Sequence, residues 1–222
     1  MKYLIIFSIL LFSCHSQSRK EVDNRSSISK MIQRTVRVER QCLGLDGAMH
    51  KAGYGSGVVL ASGVEKSIII TAKHVIENKE CLYDVIDYRN QHNEASVMSA
   101  SEDGDIGTLQ IKNNLHLKTE VDLKPYLGQE VTCVGYPGNP LDEDKKYLSV
   151  TKGNIATLWV NNEYIRVTTE GYFGSSGGPC FSNQGKLIGV FSAMWGGFVG
   201  NQYFPRNGQY YITPVKFLYP VH

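Results

Sequence analysis

The sequence predicts an all-β protein, built either as one large domain or as two small ones sharing an interface. Three observations carry this. The chain holds 22 glycines and 13 tyrosines in 222 residues, with many Val, Ile and Thr, a composition suited to short strands and tight turns. Apolar runs of strand length, such as Ile68 to Ile70 and Val131 to Val134, alternate with turn clusters such as Tyr136-Pro137-Gly138-Asn139-Pro140. Once an N-terminal leader is removed, roughly 200 residues remain, enough to bury a sizeable core. The net charge of +2 gives no case for nucleic acid, and runs such as Asp142 to Lys146 read as solvated loop faces.

The leader comes first. Residues 1–14 carry one lysine, Lys2, then the apolar run Tyr3 to Phe12, too short to span a bilayer as a helix. This reads as a secretory signal. Leu11-Phe12-Ser13-Cys14 resembles a bacterial lipobox, in which Cys14 is lipidated and becomes the mature N-terminus; Phe12 stands where a small residue is commoner. The expectation is an exported protein, lipid-anchored in the bacterial cell envelope on the periplasmic side of a membrane, or else secreted after plain cleavage. Residues 15–30 are polar and serine-rich, and read as a flexible tether.

The strands follow in order. Gln33 to Gln41 places Val36 and Val38 on one face and is the first. Gly55 to Leu60 is a strand whose glycines let another backbone come close. Ser67 to Thr71 is buried on both faces, and Ala72 to Ile76 turns helically after it. Leu82 to Tyr88 and Glu94 to Ala100 are joined by a turn around Asn90 to Asn93, and a further strand runs from Ile106 to Ile111. Asn113 to Tyr126 is a polar connection. Gln129 to Tyr136, Tyr147 to Trp159, Tyr164 to Thr169, Pro179 to Phe181, Lys186 to Ala193 and Tyr210 to Val215 are strands, with Leu141 to Lys146 a charged loop. Met194 to Gly208, rich in glycine and aromatics, reads as a loop that shapes a specificity pocket.

Chemistry concentrates at Gly174-Ser175-Ser176-Gly177-Gly178-Pro179. A serine hydroxyl needs a base to take its proton and donors for the negative charge that develops on the substrate oxygen. Glycines flanking Ser176 permit a tight turn in which the N–H groups of Gly174 and Ser176 point at one spot, as an oxyanion hole. An α/β-hydrolase would place its acid and then its histidine after the serine. Downstream of Ser176 there is no Asp or Glu, and the sole histidine is the terminal His222. Upstream, the strand Ile68 to Thr71 runs into His74, and Asp105 opens the segment Ile106 to Leu109. Asp103 competes with Asp105 and reads better as a turn residue. The order His74, Asp105, Ser176 is that of the chymotrypsin type. No cofactor or metal is required. Beyond Cys14, the cysteines are Cys42, Cys81, Cys133 and Cys180. An even number in an exported chain suits disulfides, with three connectivities open and four free thiols as the alternative. No C-x-x-C spacing favours zinc.

Three blocks together resemble the trypsin-like serine peptidases of the chymotrypsin fold, nearest to the bacterial HtrA-like and glutamyl-endopeptidase-like branches: Gly55 to Val59 with Thr71 to Val75, Asp105 to Leu109, and Gly174 to Pro179. Tyr211 to Val215 resembles the family's last strand. The resemblance covers roughly residues 31 to 222 and implies two six-stranded antiparallel β-barrels, an N-terminal one over 31–120 and a C-terminal one over 121–222, with the site in the cleft between them. It implies a His74–Asp105–Ser176 triad acting on protein or peptide substrates. It implies a disulfide Cys133–Cys180, which leaves Cys42 to pair with Cys81. No PDZ domain of the HtrA type is expected after the last strand. Glu170, six residues before Ser176, falls where trypsin-like peptidases place the pocket floor, and would favour Lys or Arg; an exposed loop glutamate is the competing reading. Phe191, Ser192 and Ala193 fall on the strand beside a bound peptide. That strand lacks the histidine of the glutamyl-endopeptidase branch. Two other functions stay open: a catalytically silent peptidase-like binding protein, and an esterase on the same scaffold.

Overall fold

In the structure, a computed structural model, residues 25–219 are described except 79, 140–141, 162 and 200–201. The leader, with Cys14, and the terminal His222 lie outside the described residues.

The apolar alternation seen in the sequence closes on itself twice. The first closed barrel has the order β1 (Thr35–Leu43), β2 (Met49–Ser62), β3 (Ser67–Thr71), β6 (Gly107–Ile111), β5 (His92–Ala100), β4 (Cys81–Ile86). Its strands pair antiparallel throughout. The second has the order β10 (Ser149–Val160), β11 (Tyr164–Val167), β14 (Gln202–Pro214), β13 (Leu187–Val199), β12 (Pro179–Ser182), β7 (Glu130–Gly135), and is again antiparallel. Closure leaves neither sheet with a long free edge. This is the two-barrel architecture that the resemblance implies. A four-residue helix, α2 (Lys73–Ile76), follows β3.

Each barrel has its own apolar filling, Val36, Val38, Val59, Ile69 and Leu109 in the first and Ile155, Ile165, Ile188 and Ile212 in the second. A third cluster belongs to both. Val58, Ile70 and Ile106 of the first barrel pack with Val134, Phe181, Leu187 and Val190 of the second, and this seam fixes how the barrels meet. Gly55 lets them come together: a Cβ there would lie 2.8 Å from Val75 Cγ2 and 2.9 Å from the Ser176 carbonyl oxygen.

Three local expectations are corrected. The tether foreseen over residues 15–30 is helical from residue 25; this helix, α1, runs over residues 25–34 ahead of β1. Ile28, Met31 and Ile32 are spaced for one helical face, and Met31, 3% exposed, packs into the seam cluster. The first strand accordingly begins at Thr35 rather than Gln33, and Thr35 Oγ1 donates to the Met31 carbonyl at 2.9 Å. Residues 194–199 and 202–208 are not a loop: β13 and β14 continue as a paired ribbon, Gly196 facing Pro205 and Val199 facing Gln202, with bulges between Phe191/Ala193 and Met194/Gly196. Glycines that suggest a loop here serve a bulged strand, and the aromatic residue types favour pairing. Residues 142–146, expected as a loop, form β9 (Asp142–Lys146), paired with β8 (Gly138–Asn139).

The disulfides are Cys42–Cys81, joining β1 to β4, and Cys133–Cys180, joining β7 to β12. In both cases the two cysteines stand directly opposite across an antiparallel pair, with Cα atoms 4.2 and 4.0 Å apart.

Candidate active site

His74 sits on α2, where the chain turns after β3, and Asp105 lies two residues before β6, the strand paired with β3. That pairing brings the two side chains together. Asp105 Oδ2 accepts from His74 Nδ1 at 2.7 Å and Oδ1 from the His74 backbone N–H at 2.9 Å, so the carboxylate grips ring and backbone at once. Asp103 is exposed and makes no bond to the histidine. Behind the acid, Ser192 Oγ donates to the Asp105 carbonyl at 3.2 Å and shares a 2.6 Å hydrogen bond with Thr213 Oγ1.

The bond to Asp105 raises the His74 pKa above the usual imidazole value, outweighing the burial that would lower it. For Asp105, burial is the largest single influence and pushes upward; the bonds to His74 and the Ser192 hydroxyl together overcome it, and the carboxyl stays below its ordinary range. An ionised acid holding a basic imidazole leaves Nε2 free to face the cleft.

Ser176 lines the same cavity as His74, a cleft of about 240 Å³ between the barrels. No hydrogen bond joins the two side chains among the described residues, and such bonds commonly tighten when substrate arrives. The loop around Ser176 is fixed by its carbonyls. Phe173 C=O accepts from the Gly138 N–H at 2.7 Å, and Ser175 C=O from the Gly178 N–H at 2.8 Å. Because a trans peptide points its N–H opposite to its C=O, the N–H groups of Gly174 and Ser176 are turned the other way. Neither has a hydrogen-bond acceptor among the described residues. Backbone donors left open in this manner form an anion site. Gly177 is required here: its φ is +83°, and a Cβ would meet the Ser56 carbonyl and Thr71 Oγ1, both at 2.1 Å.

Ser56, on β2 of the first barrel, ties this loop down. Its hydroxyl donates to Gly174 C=O at 2.7 Å and accepts from the Tyr136 N–H at 2.8 Å, and its own N–H donates to Ser176 C=O at 2.7 Å. It is fully buried.

Glu170 does not form the floor of an open pocket. It is exposed, with its carbonyl accepting from Thr151 Oγ1 at 3.1 Å. The cavity it shares with Phe191, Ser175 and Gly178 measures about 20 Å³, room for little more than one water. The ring of Phe191 takes the space: a Cβ on Gly171 would lie 2.1 Å from Phe191 Cζ. Phe191 also packs on Tyr210 and is 4% exposed. Ala193, next but one along β13, is exposed. Among the described residues no group of three or more His, Cys, Asp and Glu could hold a metal ion.

Comparison with known proteins bears on the family and the fold. The family model described as trypsin-like peptidase domain matches residues 55–190, more than half of the chain. The chain belongs to this trypsin-like family. It is 29% identical over 154 residues to the serine protease HTRA1 of Xenopus tropicalis, a match that covers 63% of this chain and 31% of that protein. Among solved structures, the serine endoprotease from Yersinia pestis superposes with a TM-score of 0.68 at 21% identity, covering 88% of this chain and 63% of that one. The chain thus spans about a third of the length of the frog relative. Within this trypsin-like domain, the supporting part played by Ser56 was not legible in sequence, although Gly55-Ser56-Gly57 marks a close approach. The Ser192 hydroxyl lies behind Asp105.

Proposed function

We propose that this chain is a serine endopeptidase, exported and anchored by a lipid on Cys14, that cleaves protein or peptide chains after small residues. The observation that carries the catalytic reading is the pair of unengaged N–H groups at Gly174 and Ser176, beside a histidine gripped by an acid. In this mechanism Ser176 Oγ attacks the peptide carbonyl while His74 takes its proton. The carbonyl oxygen, now an anion, is received by the Gly174 and Ser176 N–H groups. His74⁺, stabilised by Asp105, gives its proton to the leaving amine, and a water repeats the sequence to release the acid. Open donors in the loop speak against the silent binding-protein reading, which needs a collapsed oxyanion site. The ring of Phe191 on Gly171 supports cleavage after small residues, because a Lys or Arg side chain finds no space there.

Export is supported by the apolar run Tyr3 to Phe12 and by the two disulfides, which suit an oxidising compartment. No helix among the described residues is long and apolar enough to cross a membrane. Attachment through the lipid means that Cys14→Ser should move the protein from the membrane to the soluble fraction.

The catalytic test is labelling of the full chain with a fluorophosphonate, which reports an activated serine. Wild type should label, Ser176→Ala should not, and peptide hydrolysis should fall on the order of 10⁶-fold in the variant. A folded wild type that neither labels nor cleaves would overturn the reading. Hydrolysis of small esters without cleavage of peptides would favour the esterase.

A further inference from the structure

One cation in the cleft takes no part in the chemistry described so far. Arg40 lies on β1, opposite Gly53 of β2 and Tyr83 of β4, and its side chain lines the cavity that holds His74 and Ser176. A guanidinium carries five N–H donors in a planar fork. Here Nη2 donates to the Ala52 carbonyl at 2.9 Å, the single hydrogen bond of the Arg40 side chain among the described residues. Nε is buried without a partner. No carboxylate pairs with Arg40 among the described residues, although Arg37, three residues earlier on β1, has Glu39. Its charge nevertheless reaches the catalytic histidine, where it opposes protonation. A partly buried cation with unused Nη donors and no counter-ion among the described residues is matched by a carboxylate that arrives with the ligand.

The cavity also has a direction. The side chain that precedes the scissile bond would lie toward Gly171 and Phe191, along β13. Among the described residues none of β13 lines the Arg40 cavity; Tyr54 and Val75 bound it on the first-barrel side, and Phe173 and Gly174 on the other. It therefore lies on the far side of Ser176, where the leaving amine must be to receive the His74 proton. We propose that Arg40 selects substrates with a carboxylate on one of the two residues that follow the scissile bond. This rests on the serine-endopeptidase reading above. The carboxylate can be an Asp or Glu side chain, or the C-terminus of a peptide that ends at that point.

The test uses the full chain and quenched fluorescent peptides with a fixed small-residue acyl half. Asp, Glu, Ala or Lys occupies the first or second position after the cleaved bond. A second pair of peptides ends there in Ala, as free acid or as amide. Wild type should prefer the acidic residue over Ala by about tenfold in kcat/KM, the size of a charge-assisted hydrogen bond in a partly dry cleft. Arg40→Ala should flatten that ratio, and Arg40→Glu should invert it in favour of Lys. A preference for free acid over amide, without one for Asp or Glu, assigns the site to chain ends. Fluorophosphonate labelling of wild type is run alongside. Equal rates across all the peptides in a wild type that labels and cleaves would overturn the role of Arg40 alone. A wild type that does not label overturns the reading beneath it, and this proposal with it. If Arg40→Ala fails to fold, the wild-type ratios and Arg40→Glu still decide.

Discussion

Asp105 bonds both the backbone N–H and the ring of His74, so one carboxylate fixes the imidazole and, on the proposed mechanism, sets the tautomer and basicity of the base. The pH dependence follows. Below its raised pKa the imidazole is a cation and cannot take the Ser176 proton, so kcat/KM should fall as pH drops, with a midpoint above that of an unperturbed imidazole. Asp105→Asn should move that midpoint down and lower kcat by roughly 10⁴-fold, both read from a pH–rate profile; an unmoved midpoint would separate the limb from His74. For folding, the two groups act in opposite directions. The raised His74 pKa adds stability below its unfolded value, which is lost as pH rises through the folded value. The lowered Asp105 pKa adds stability above its unfolded value, which is lost as pH falls through the folded one. Phe191 sets a different property. Phe191→Val should vacate the space beside Gly171 and raise kcat/KM for Leu relative to Ala before the scissile bond, at a stability cost of about 1–3 kcal/mol. An unchanged Leu-to-Ala ratio in a peptide series would remove Phe191 from the pocket.

Among the elements, those whose signal is local were legible. The run Ile68 to Ile70 ends in a histidine, and Asp105 precedes an apolar pair, so the β3–β6 pairing is the one step needed to join them. Parts that depend on distant partners were not. Ser56 matters through Gly174, 118 residues further on, and Phe191 through a glycine that only the folded loop sets against it. Helix α1 was hidden differently: composition marked residues 15–30 as unpacked, while the spacing of Ile28, Met31 and Ile32 already described a buried face. In the hairpin β13–β14, glycine-rich composition masked a paired ribbon. The disulfides act at this scale too. Cys133–Cys180 closes a separation of 47 residues, and on the chain-entropy model its removal costs about 4 kcal/mol. The double variant Cys133→Ala with Cys180→Ala should show that loss in urea unfolding; a loss below about 1 kcal/mol would mean that the β7–β12 pairing holds without it.

For the molecule as a whole, the site is divided: His74 and Asp105 come from the first barrel, Ser176 and its loop from the second. Both disulfides join strands within one barrel, so among the described residues no disulfide spans the seam. The barrels are held in register by the apolar cluster of Val58, Ile70, Ile106, Val134 and Phe181, and by the hydrogen bonds of Ser56. A slip that leaves every strand paired would still take Ser56 away from Gly174 and His74 away from Ser176. Catalysis should therefore be the more sensitive thermometer. On slow heating, the rate and probe labelling should be lost several degrees before the circular dichroism of the strands changes, and should return on cooling if heating stops between the two. Coincident loss of rate and strand signal would mean that seam and barrels melt as one body.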